Sequence, residues 1–129
     1  MPVANHDSFD WALIRVVPRV ERGECVNAGA IVACATKRYL GARVLLNAAK
    51  VRALDPAIDL EELEAALATI PRIAAGDPTA GPIAALPHGE RFHWLTAPRS
   101  AVVQTSPVHT GICDDPEAAL ADLIERLVK

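Results

Sequence analysis

The segment RFHWLTAPRSAVVQTSPVHTG, residues 91–111, concentrates the side chains that could do chemistry: His93 and His109, Arg91 and Arg99, Ser100 and Ser106, with Gln104 between them. If 101–106 is extended, Ser100, Val102, Gln104 and Ser106 fall on one side of the strand and Ala101, Val103 and Thr105 on the other. The polar groups are then sorted onto one face. That face is either a solvated surface or the floor of a site in which His109 serves as acid or base and Arg99 holds an anion. A serine hydrolase is not indicated, because no Gly-x-Ser-x-Gly turn exposes a nucleophile and no acidic residue is placed to orient the histidine.

Arg15 raises a second question. It sits inside SFDWALIRVVP, residues 8–18, where both alternating sets are otherwise largely apolar, and it shares its side with Trp11 and Leu13. A guanidinium in such a strand needs a partner, because an unpaired buried charge is costly. Either Glu24 or Glu90 closes an internal ion pair, or Arg15 forms an anion subsite with Arg43 and Arg99. Asn27, flanked by Val26 and Ala28, is also a polar group in an apolar run, and either bonds backbone near Gly29 or joins that subsite.

Metal and phosphate chemistry find little support. His93, His109 and Cys113 make three candidate ligands where a structural zinc site wants four, and Gly111 inside HTGIC argues against side-by-side helical presentation. GDPTAGP, residues 76–82, lacks the Gly-Lys-Ser/Thr ending of a phosphate loop. Cys25, Cys34 and Cys113 show no Cys-x-x-Cys spacing and read as small buried thiols. No cofactor is expected.

The elements that must position these residues fit one domain of 129 residues, with 51% apolar and 22% charged composition typical of a globular chain. A net charge of −3 does not supply the positive field that binding to a phosphate backbone needs, so nucleic acid is not an expected partner. The opening residues MPVANHDSFDW hold no apolar run of signal-peptide length, and no later stretch reaches the length of a membrane span. A cytoplasmic location without membrane contact is the expectation.

Strands are predicted over 8–18, 25–35 and 39–47, with turns at 19–24 and 36–38, giving an antiparallel meander. Gly29 and Gly41 mark a bulge or a close approach of backbone. Periodicity then changes to helical: two turns after Asn47, and a longer helix capped by Asp59 with Glu62 three residues on and Leu60, Leu63, Leu67 and Ile70 along one stripe. Residues 71–90, rich in Pro and Gly, are read as irregular, followed by a short helix in ERFHWLT and a short fourth strand at 101–106. Asp115 caps a last helix with Pro116 in its first position and Leu120, Leu123, Ile124 and Leu127 as its apolar stripe. The expected class is α+β: an antiparallel sheet of about four strands with two or three helices on one face, in the order βββααβα.

Two stretches, VVPRVERGECVNAGAIVACATKRYLGARV and RFHWLTAPRSAVVQTSPVHTGICDDPEAALADLIERLV, resemble the small bacterial proteins grouped as domain-of-unknown-function family 3037, over residues 9–128. Cys25 departs from the larger apolar or aromatic residue of the family pattern. The resemblance brings no activity and no catalytic residues. It implies a role for Glu24, Asn27, Gly29, Arg99, Gln104, Thr105 and Ser106, and a protein partner of the HipA-like kinase type, beside which such proteins are encoded.

Two functions follow as expectations. The first is a small accessory protein that binds a protein partner through the polar face of the sheet or an uncovered strand edge. The alternative is an enzyme or small-anion binder whose site joins Arg15, Asn27, Arg43, Arg99, Gln104 and His109. The sequence leaves the oligomeric state open.

Overall fold

The structure, a computed structural model, describes residues 7–129. Residues 1–6, which form half of the stretch read as free of a signal peptide, lie outside the described residues. Among the described residues no helix is long and apolar enough to cross a membrane.

The meander forms as the alternation requires: β1 (Asp7–Val16), β2 (Val26–Cys34) and β3 (Tyr39–Val44) pair antiparallel in sequence order. β1 is central. Its other edge carries two short strands, β4 (Val103–Thr105) opposite Ile14 to Val16 and β5 (His109–Cys113) opposite Asp7 to Trp11. The fourth strand expected over 101–106 is therefore shorter, and a fifth strand follows it. Pro107 has no N–H to give a ladder. At the break Ser106 takes over: its N–H donates to the Leu13 carbonyl at 2.8 Å, and its Oγ accepts the Leu13 N–H at 2.8 Å.

The helices begin where the caps predict. Asn47 caps α1 (Ala48–Leu54) and Asp59 caps α2 (Leu60–Ala74), each accepting a backbone N–H with its side chain. α2 runs through Pro71 instead of stopping there, because the burial of Ile70, Ile73 and Ala74 holds the last turn despite one missing ladder bond. Two 3-10 turns, Pro78–Ala80 and Pro82–Ala85, lead into α3 (His88–Thr96). α4 (Pro116–Leu123), capped by Asp115, ends in a π turn over Ile124–Val128.

The α+β class and the general element order stand. The expectation that all helices pack on one face is corrected. Leu63, Leu67, Ile70 and Phe92, from α2 and α3, bury against the face carrying Ile14, Val16 and Ile31. Leu120, Leu123 and Ile124 bury against the opposite face, carrying Leu13, Ala30 and Val32. The reason lies in β1 and β2, which are apolar on both sides: leaving one face bare would expose several Val, Leu and Ile side chains, each worth about 1.5–3 kcal/mol when buried.

Candidate binding surface

The register explains the setting of Arg15. Ile14 lies opposite Gly29 but Arg15 lies opposite Asn27, so β2 carries an extra residue, Ala28, at a bulge. On the other edge Arg15 lies opposite Gln104. Asn27, Arg15 and Gln104 thus form a polar row across three neighbouring strands, on the face that α4 covers farther along. The Asn27 Nδ2 donates at 3.1 Å to the Leu127 carbonyl of the terminal turn, and the Gln104 Nε2 donates at 2.7 Å to the Ala101 carbonyl. Neither proposed carboxylate reaches Arg15: Glu24 is bonded to Arg22 at 2.6 Å, and Glu90 stands exposed on α3 against the other face. The Arg15 Nε is buried with no hydrogen-bond partner.

The remaining expected site residues are held elsewhere. Arg43 donates to Glu117 at 2.7 Å, and the Tyr39 hydroxyl donates to the other oxygen of the same carboxylate at 2.8 Å. The Arg43 guanidinium and the Tyr39 hydroxyl hold the Glu117 carboxyl below its ordinary range, while burial and then Glu117 push the Tyr39 hydroxyl far up. Arg99 donates to the Trp94 carbonyl at 2.7 Å and lies 4.6 Å from the centroid of the Trp94 ring. His109 is exposed and stacks at 4.5 Å on Trp11, its cross-strand partner. Ser106, only 3% exposed, is bound into the sheet, and its Oγ also donates to the Pro107 carbonyl at 2.9 Å. Glu24 remains on the surface with Arg22, which lowers its pKa. Of the residues singled out, the structure brings Arg15, Asn27 and Gln104 together and holds Arg43, Arg99 and His109 apart.

Three features escaped sequence reasoning. Arg91 is buried inside α3 at 6% exposure, where its Nη1 donates to the Ala84 carbonyl at 3.1 Å and pins the Pro-rich connection. His88, His93, Arg38 and Asp10 line a cavity of about 640 Å³, in which burial pushes the His88 imidazole pKa down. A second cavity, of about 590 Å³, lies between α2, the end of α3 and residues 99–103. Helical spacing on α2 and α3 is the signal that groups these residues. It could not reveal which loop would close the space.

At the β5 edge the sheet ends. β5 pairs with β1 alone, and among the described residues no other strand covers its outer edge. Ile112 stands 72% exposed there, with Val108 also exposed. Gly111 lies under the Phe9 ring, which occupies the place of a side chain at that position. No group of three or more His, Cys, Asp or Glu among the described residues is placed to hold a metal.

Fold and surface together define a small antiparallel α+β domain, covered by helices on both faces, with β3 at one edge of its sheet and β4 and β5 at the other. The chain belongs to the family described as protein of unknown function (DUF3037), whose sequence profile matches residues 11–128. Comparison with curated proteins and with solved structures gave no match.

Proposed function

We propose that this protein is a small accessory protein that docks a protein partner along the β5 edge, and that the partner is a HipA-like kinase, the type that the family resemblance implies. The observation that carries this reading is the open edge itself. An unpaired strand with a large apolar side chain is normally blunted by charge, proline or a covering element, since it is a ready template for another strand. Among the described residues, β5 presents Thr110, Gly111 and Ile112 without such protection. A partner strand added to this edge gains main-chain hydrogen bonds, and the Ile112 side chain supplies an apolar contact.

The enzyme or anion-binder alternative is less well supported by the geometry, because Arg43, Arg99 and His109 each face a different neighbour. The test is co-expression of this chain with a HipA-like kinase of the type the family resemblance implies, followed by size-exclusion chromatography at low salt. Co-elution is expected for the wild type and loss of co-elution for Ile112→Lys, whose charge sits on a surface position and leaves the core intact. Separate elution of the wild-type chain and kinase would overturn the reading, and so would an unimpaired complex with Ile112→Lys.

A further inference from the structure

We propose that the groove between α2 and residues 99–103 is a docking site for a basic amphipathic helix of a partner protein. The inference rests on reading the chain as an interaction protein, but not on the β5 edge or on the identity of the kinase.

The shape of the groove argues for a helix. Leu63, Ile70 and Ile73 form its floor from α2, each largely covered by the core, and Ala66 stands exposed on the same stripe. From Leu63 to Ile73 the stripe extends about 15 Å at the helical rise, which is close to three turns of a partner helix. Trp94 and Val102 form the opposite wall, and both are among the large apolar side chains that remain exposed, Trp94 at 39%. An apolar strip with a charged border is the pattern of an interaction groove, read by a partner helix through apolar anchors one turn apart.

The border sets the charge of the occupant. Asp55, Asp59 and Glu62 stand at the end of the groove where α1 connects to α2. Asp55 and Asp59 accept backbone N–H groups, from Ala57 and Glu62 respectively, and among the described residues none of the three carboxylates has a cationic partner in an ion pair. Arg99, the one cation on the wall among the described residues, is already engaged by the carbonyl and the ring of Trp94. The border is therefore net negative. Lysine or arginine side chains at one end of the incoming helix complement it, whereas an acidic helix meets like charge.

The experiment uses the full chain carrying Trp11→Phe, so that Trp94 is the sole tryptophan, and follows its fluorescence. The probe is a synthetic three-turn peptide helix with leucines on one face and lysines at one end, and its control replaces the lysines with glutamates. The lysine peptide is expected to shift Trp94 emission to the blue and to bind more weakly as salt rises. The glutamate peptide is expected to leave the emission unchanged. Asp55→Asn with Glu62→Gln should weaken the lysine peptide by roughly tenfold, about threefold for each carboxylate. Ala66→Arg, at an exposed helix position, should abolish binding with the fold intact by circular dichroism.

Equal binding of both peptides, binding of neither, or an unchanged affinity in Ala66→Arg would overturn the inference. A response to a small apolar amine such as octylamine, with none to the lysine peptide, would overturn it too and make the groove a small-molecule site. Co-elution of the kinase with a chain that ignores the peptide defeats the groove alone. Peptide binding without co-elution defeats the kinase partnership alone.

Discussion

The Tyr39 hydroxyl donates a 2.8 Å hydrogen bond to Glu117, joining the first residue of β3 to the first turn of α4 across 78 positions of sequence. Arg43 binds the other oxygen of that carboxylate at 2.7 Å. Tyr39 also folds over Gly41, whose missing side chain leaves room for the phenol. This cluster is the polar clasp that holds the terminal helix on the second face of the sheet.

The chain has a single tyrosine, so the rise of phenolate absorbance with pH follows Tyr39 alone. Its ionisation is expected well above the ordinary value of 10, because burial and the Glu117 charge both disfavour the phenolate. A pKa raised on folding contributes stability that is complete below the unfolded value and is lost as pH rises through the folded one. The protein should therefore lose stability above about pH 10, and Glu117→Gln should move the absorbance titration downward. An unshifted titration in that variant would show that Glu117 contributes nothing.

Glu117 has the opposite sign. Its folded pKa lies below 4.5, so its contribution is complete above that value and is lost as pH falls through the folded pKa. With both the Arg43 and Glu117 side chains about half exposed, solvent screening holds the contribution to about 1 kcal/mol or less. Urea midpoints measured between neutral and acid pH should show a small fall that Arg43→Gln reduces.

Ser106→Ala removes the acceptor of the Leu13 N–H in the middle of the sheet. A buried donor left unsatisfied costs about 1–3 kcal/mol, so the urea midpoint should fall at unchanged slope. Hydrogen exchange at Leu13 should also accelerate. Unchanged exchange would mean that another acceptor replaces the hydroxyl.

Gly29→Ala and Gly89→Ala should move stability in opposite directions. A Cβ on Gly29 would run into the Arg43 carbonyl oxygen across the ladder and lie 2.9 Å from the Ile14 Cδ1, so a loss of about 1–3 kcal/mol is expected. A Cβ on Gly89 in the first turn of α3 meets nothing within 4 Å, and alanine there should add about 0.4–1 kcal/mol. Thermal unfolding of the two variants checks both signs.

Arg15→Met keeps the apolar stem and removes the buried Nε that lacks a partner. Stability is expected to stay within about 1 kcal/mol of the wild type or to rise. A loss of more than about 2 kcal/mol would show that the guanidinium ties the strands together.

Local chemistry made much of this fold legible. The meander follows from alternation, and the starts of α1, α2 and α4 follow from Asn47, Asp59 and Asp115, because strand period and capping are properties of a few adjacent residues. The continuation of α2 through Pro71 was not legible, since it depends on burial of Ile70 and Ile73 by distant strands. The polar row is a similar case. Arg15 stood out as a charge in an apolar strand, but a one-residue bulge placed Asn27 opposite it.

The sequence by itself determined the class, the general order of elements, the apolar character of both sides of β1 and the membership of a family without an assigned activity. Tertiary structure alone decided which face each helix covers, that 109–113 becomes a fifth strand on an open edge, and which neighbour each arginine meets. The physical reason is one of range. Periodicity and caps are fixed by interactions within a turn or a strand, whereas the partner of a long cationic side chain and the covering of an edge depend on segments that meet only after the chain has folded.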